Sequence, residues 1–263
     1  MTSKHCLNCG KKLVDTFCSG CGQKADTHRI TFKNFIYHDL LHGTFHIEKG
    51  ILFTTKQALI RPGKAALEYI AGKRKPYYNI FLLIILVIGL MLTIRHLYDW
   101  VTDNNLESLK DTAHLNEASK KLNAIFSQKS KIILFLFVPI SALNSFILFR
   151  RKKLNLSEHL ILAGMILLGM LLISTLGHVV FFINLLVQVN TAFLSYLITF
   201  AILAYIAFGY INAFAVEYSK WEITFKIILY YLMFCLELFL LLFFLVAYAT
   251  NWEFGEVVIT PFG

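Results

Sequence analysis

Four cysteines near the start of the chain carry the clearest chemistry: Cys6 and Cys9 make one Cys-x-x-Cys pair, and Cys18 and Cys21 a second. Four thiolates at this spacing suit a tetrahedral metal, and the glycine after each pair, Gly10 and Gly22, lets the chain curl its amides around the site. A four-cysteine set leaves no open position for water or substrate, so the metal expected is a structural Zn2+. Residues 1–28 therefore read as a zinc-ribbon-like module, with His28 a competing ligand. So short a segment has no core of its own, and the metal must supply its folding free energy.

Other residue types that do chemistry are scattered. His38, His42 and His46 recur every four residues, which on one helix face makes a second metal site, a pH-sensitive membrane contact or a plain polar face, although Gly43 interrupts the row. Glu158 and His159 follow a basic cluster and head an apolar run. They read as cap and anchor, with Asn155 or Ser157 capping the same turn, or as an inner-face site turned toward Arg61 or Arg74. Glu237 lies deep inside the last apolar run, where an acidic residue costs roughly 3 kcal/mol and is expected to face the interior. Its expected partners are Tyr205, Ser141 and Asn144. With Tyr205 and Asn144 it is either a functional intramembrane polar site or a buried pin that orients the helices. His178, Asn184, Gln188 and Asn190 line a vestibule or mark the interfacial end of a helix, and Cys235 reads as an apolar filler.

No phosphate-cradling Gly-rich Lys loop, no Gly-x-Ser-x-Gly elbow and no His-Glu-x-x-His occurs. The expectation is therefore a protein that is not an enzyme.

The elements that must position these residues are mostly membrane helices. The mean hydropathy is +0.63 and 57% of the 263 residues are hydrophobic, above the usual ~45–50% of a soluble domain. The excess falls in five runs, near 79–96, 131–149, 159–182, 193–216 and 226–249, each long enough to cross about 30 Å of hydrocarbon as a helix. The expected fold is thus an all-α integral membrane bundle of about five helices behind a four-cysteine module. The first 30 residues are polar and cysteine-rich, so the first run is expected to serve as its own targeting signal.

Charge sets the expected orientation. Of 25 basic residues, 13 lie in residues 1–78, Arg150, Arg151, Lys152 and Lys153 close the second run, and Lys220 and Lys226 flank the last, against six in residues 95–131. That bias predicts a cytoplasmic N-terminus and an external C-terminal tail, 250–263. It also puts the cysteines in a reducing compartment, where thiolates bind metal. The net charge of +9 points to anionic lipid headgroups rather than nucleic acid, because the basic residues gather beside span ends. Residues 29–78 read as amphipathic helices on the cytoplasmic leaflet, a stretch beginning near Thr31 and two more near 51–60 and 64–70, broken at Pro62. The loop 97–130 is expected outside, with a helical stripe through Leu106, Leu109, Leu115 and Leu122.

The ordered set of both Cys-x-x-Cys-Gly pairs, Gln23, Arg29-Ile30-Thr31, Arg61-Pro62-Gly63, Gly72-Lys73-Arg74 and Glu158-His159 resembles an uncharacterised bacterial family of small membrane proteins with an N-terminal zinc-ribbon-like module. The resemblance implies an inner-membrane location and brings no activity. In helix number and orientation alone the chain is also similar to Yip1-like membrane proteins.

These readings converge on a membrane scaffold, sensor or accessory subunit. Its zinc module and basic residues Arg61, Lys64, Lys73, Arg74 and Lys75 would dock a protein partner or lipid headgroups, and it would pair with that partner or with itself. The alternative is a small oligomeric transporter or channel built around Glu237. A third reading is an intramembrane lipid-modifying enzyme using Glu158, His159 and His178.

Overall fold

The computed structural model describes residues 5–25, 50–102, 117–250 and 252. His28, the histidine row at 38, 42 and 46, the whole of the first amphipathic stretch, the stripe residues Leu106, Leu109 and Leu115, and nearly all of the C-terminal tail lie outside them. Among the described residues seven helices follow one another: α1 (Gly50–Ile60), α2 (Pro62–Ile70), α3 (Ile80–Thr102), α4 (Glu117–Leu148), α5 (Leu156–Val187), α6 (Thr191–Phe214) and α7 (Lys220–Ala249). Among the described residues there is no strand, only two isolated antiparallel bridges in the cysteine module.

Four helices, α3, α5, α6 and α7, are long and apolar enough to cross a membrane. The second apolar run falls at the end of the 32-residue α4, whose described apolar part is Leu136–Leu148, with Pro139 inside it.

The centre of the bundle is α5, buried on every side from residue 161 to 169. Such all-round burial explains why its sequence is apolar without a polar stripe. Helix α3 gives it one face, with Ile80, Leu83, Ile84, Val87 and Ile88 at helical spacing. Helices α4 and α6 pack on other faces of α5, and α7 packs chiefly on α4. The outward sides of α6 and α7 stay apolar and exposed, as at Phe200, Leu232 and Phe239, which suits hydrocarbon as solvent.

Turns fall where local chemistry puts them. Asn155 caps α5 in a reciprocal box with Glu158, and Ser219 does the same for α7 with Glu222. Between α5 and α6 the chain reverses in three residues, with Gln188 in the left-handed region at φ 59°.

The amphipathic helices expected on the leaflet surface differ from what is found. Helices α1 and α2 exist at nearly the expected positions, but they form a hairpin packed into the bundle against α5 and α6. Thr54, Ala58, Ala65 and Ala66 are completely buried. The physical reason is size. A face of alanine, glycine and threonine brings backbones close, and α6 accepts it: a Cβ on Gly63 would collide with the backbone of Gly209 and Ala213. Tyr205 of α6 then donates its hydroxyl to the carbonyl of Ala58. Pro62 opens α2 at its first turn, where a missing N–H costs nothing.

Candidate metal centre

Each cysteine pair sits in a tight loop closed by the same two hydrogen bonds. Gly10 N donates to Cys6 O and Cys6 N to Lys11 O; Gly22 N donates to Cys18 O and Cys18 N to Gln23 O, all at 2.8 Å. Gly10 (φ 76°) and Gly22 (φ 71°) take the left-handed turn that closes each loop, a conformation glycine adopts without a steric penalty. The two loops face each other, so that all four Sγ atoms lie within 4.8 Å of one another. The pairs Cys6–Cys21 and Cys9–Cys18 are 3.5 Å apart. A tetrahedral four-thiolate site with ~2.3 Å metal–sulfur bonds has edges of about 3.8 Å, so the set fits such an ion closely.

The electrostatics fit as well. The Asn8 side chain leads the interactions that hold the Cys21 thiol down at about 6. The Gly20 amide, 3.4 Å from Cys18 Sγ, does the most to lower Cys18. At Cys9 the Lys11 amide also pulls down, yet contact with Cys18 and the other thiols wins and leaves it up at about 11. Four sulfurs competing for negative charge in one place are what a cation relieves.

Gln23 fastens the module to the helices by hydrogen bonds. Gln23, buried, donates from Nε2 to Gly72 O at 2.8 Å and accepts at Oε1 from the backbone N–H groups of Arg74 and Lys75, both 3.3 Å away. These atoms belong to the loop between α2 and α3. Leu7 packs over Gly72 in the same seam, and the Lys75 side chain lies beside Gly22.

Of the basic residues expected to meet phosphates, Lys64, Lys73 and Lys75 are exposed and Arg74 is half-buried over the Tyr69 ring. Arg61 instead reaches Glu68 through two nitrogens, at 2.9 and 3.2 Å, and bonds Gln57. Tyr77 adds a third hydrogen bond to the Glu68 carboxylate at 2.9 Å. Burial raises the Glu68 carboxyl, but Tyr77 and Arg61 outweigh it and hold it below its ordinary value. This clamp ties both ends of α2 to the start of α3.

Deeper in the bundle, α4 presents Ser141, Asn144 and Ser145 on one face, all completely buried. Ser141 bonds the hydroxyls of Tyr210 (2.7 Å) and Tyr230 (2.6 Å), and Ser145 meets His159 Nδ1 at 2.7 Å. Asn144 Nδ2 donates to Glu237 at 2.6 Å, while Asn144 Oδ1 is buried without a partner among the described residues. Tyr205 is not part of this group, because its hydroxyl serves the hairpin. Glu158 lies in the α5 capping box rather than against Arg61, and His178 bonds its own helix at Ser174 O. At 19 positions apart along α5, His159 and His178 are separated by about 28 Å, so the structure does not bring those two together. Asn184, Gln188 and Asn190 line an open cleft of about 510 Å³ with Tyr98 at the far end of α5.

A helical bundle of membrane-crossing length carrying an N-terminal four-cysteine cluster is the class defined by these features. Residues 48–97, covering the hairpin, the 72–75 loop and most of α3, match the family model described as "Protein of unknown function (DUF3667)". The likeness to an uncharacterised family thus stands for this segment. No curated protein matches the chain, and no solved structure does.

The sequence reading missed Gln23 as the fastener, because its partners are backbone atoms with no side-chain signature. It also missed the Tyr210–Ser141–Tyr230 cluster. The spacing of Ser141 and Ser145 on one face of an apolar run was the available signal.

Proposed function

We propose that this chain is a non-enzymatic inner-membrane scaffold or sensor that carries a structural zinc ion in its cysteine module and docks a protein partner or anionic lipid headgroups at the cytoplasmic face. The observation that carries the reading is the fastening of a four-thiolate module onto the bundle through Gln23. A metal module tethered by a loose linker serves recognition alone, whereas one fixed to the loop leading into a membrane helix holds its surface in register with the bilayer. Cys6, Cys9, Cys18 and Cys21 hold the ion, which when bound supplies the folding energy of the module. Lys64, Lys73 and Lys75 stand exposed around the dock, where each basic group near an anionic surface contributes about 1 kcal/mol. Arg61 is assigned to the Glu68 clamp rather than to lipid. With α4 counted as a fifth span the two termini lie on opposite faces, and the bias of basic residues assigns the N-terminus to the cytoplasm.

The test is purification of the intact chain in mild detergent with native mass spectrometry. One zinc per chain with a reproducible protein partner or retained anionic lipid supports the reading. A metal-free chain overturns its zinc component, and a zinc-loaded chain with neither partner nor anionic lipid overturns the docking component.

The Asn144–Glu237 pair favours a second reading, a small transporter or channel, since a carboxylate beside an amide whose oxygen is buried and unpartnered is an unusual group to place mid-helix. Loss of a solute flux in vesicles bearing Glu237→Gln would distinguish it from the scaffold, which tolerates that change.

A further inference from the structure

The seam between the cysteine module and the bundle is built almost entirely from one side chain and one loop. Gln23 follows the second cysteine loop directly, and its own carbonyl closes that loop by accepting from Cys18 N. Its side chain spends three hydrogen bonds on Gly72, Arg74 and Lys75. The backbone of Gln23 therefore belongs to the metal-site fold and its side chain to the loop that joins the buried hairpin to α3. The module is too small to keep its loop closed without a metal, and Lys75 N bonds the Gln23 amide oxygen, which also receives Arg74 N beside that amide's bond to Gly72 O.

From this geometry we infer that metal occupancy of the cysteine module controls the 72–75 loop, with Gln23 as the positioning residue that transmits it. With metal bound, the closed second loop aims the Gln23 amide into the seam and pins the chain just before α3. Without metal the second loop opens, Gln23 leaves, the Lys75 amide loses its acceptor, and the Arg74 amide keeps only Gly72 O. Lys73, Arg74 and Lys75 then sit on a loop held by its own turn bonds alone, so the basic surface at the bundle end is held most firmly in the metal-loaded state. The inference rests on the metal-bearing reading above and adds its regulation.

Trypsin reads the loop directly, since it cuts a segment only when the segment opens locally. The bonds after Lys73 and Arg74 are sensitive, while Pro76 protects the bond after Lys75. The full-length chain in detergent is loaded with zinc, its metal content is measured, and peptides ending at Lys73 and Arg74 are followed by mass spectrometry. Three samples are compared: loaded wild type, chelated wild type and loaded Gln23→Ala. Removal of three hydrogen bonds is expected to raise cleavage by about tenfold or more in both the chelated and the substituted protein. In Gln23→Ala the rise should occur at full metal content. Cleavage of chelated wild type at the loaded rate overturns the inference, and so does a fully loaded Gln23→Ala cut at the wild-type rate. If the substitution costs the module its metal, the chelated wild type alone decides. A wild-type chain that takes up no zinc removes the metal reading together with the coupling, and so is distinct from a loaded chain in which only the coupling fails.

Discussion

Gly63 of α2 lies directly on the backbone of Gly209 in α6. A Cβ at Gly63 would meet the Gly209 carbonyl oxygen and the Ala213 amide, and neither can rotate away. This contact, with the Tyr205 hydroxyl on Ala58 O, is how the hairpin stays inside the bundle.

Gly63→Val should therefore destabilise the protein by about 3 kcal/mol or more, at the upper end of overpacking costs. Gly89, where an added Cβ would have nothing within 4 Å, is the matched control, and Gly89→Ala should stay within about 0.5 kcal/mol of wild type. Thermal unfolding in one detergent, followed by size-exclusion recovery, measures both. Equal midpoints for the two variants would show that the close approach does not hold the hairpin.

The Ser141 hydroxyl sits between two buried tyrosines, Tyr210 and Tyr230. Ser141→Ala leaves two hydroxyls to find partners in an apolar interior, at about 1–3 kcal/mol for each one left unsatisfied. Removing all three hydroxyls together, as Ser141→Ala with Tyr210→Phe and Tyr230→Phe, should restore most of that loss, because no polar atom is then stranded. The readout is the unfolding midpoint across the single and triple variants. A triple variant less stable than Ser141→Ala would mean the hydroxyls stabilise by themselves rather than by mutual satisfaction.

The contrast between these two contacts explains what the sequence made legible. The cysteine module was readable because four thiols at fixed spacing have few other uses, and the long helices because apolar runs of that length do. Glu237 was expected to seek Ser141, Asn144 or Tyr205 from its depth, and it lies against Asn144. The hairpin was not readable as buried. Lys56 and Lys64 alternate there with small residues, a pattern that looks interfacial until the notches that receive it, at Gly209 and Ala213, are known. Those notches are some 150 positions away, and their fit is a tertiary match that local periodicity does not encode. Gln23 was visible as a residue of the motif, but its role depends on backbone atoms about 50 positions later.

Glu68 gives a pH dependence with a definite sign. Its carboxyl is held below the ordinary value because hydrogen bonds from Tyr77 and Arg61 outweigh burial. A carboxyl lowered by folding contributes stability above its unfolded value, about 4.3, and that contribution is lost as pH falls through the folded value. Glu68→Gln should thus cost roughly 1.5–3 kcal/mol at pH 7, the range for hydrogen bonds to a charged group, and the gap from wild type should close below about pH 4. Unfolding midpoints of both proteins across pH 7 to 3 test this. A gap that persists unchanged in acid would mean that the shape of the side chain, not its charge, closes the clamp.

Orientation in the membrane is decided by the two ends of α5. Lys153 precedes the helix and Gln188 caps its far end; 32 residues span about 48 Å, so any bilayer that α5 crosses separates them. The basic cluster at residues 150–153 belongs to the end where α5 begins, for Arg151 pairs there with Glu222 at the start of α7, and the 72–75 dock lies toward the same end, for Ile80 and Phe81 at the start of α3 pack against Gly164. On the orientation proposed from the bias of basic residues, that end lies inside. In a Cys235→Ser background, a membrane-impermeant maleimide should label Gln188→Cys in right-side-out vesicles and Lys153→Cys only in inverted ones. The opposite pattern would place the four thiols on the oxidising side, where they pair as disulfides instead of binding metal, and would overturn docking at the cytoplasmic face while leaving the packing of the bundle untouched.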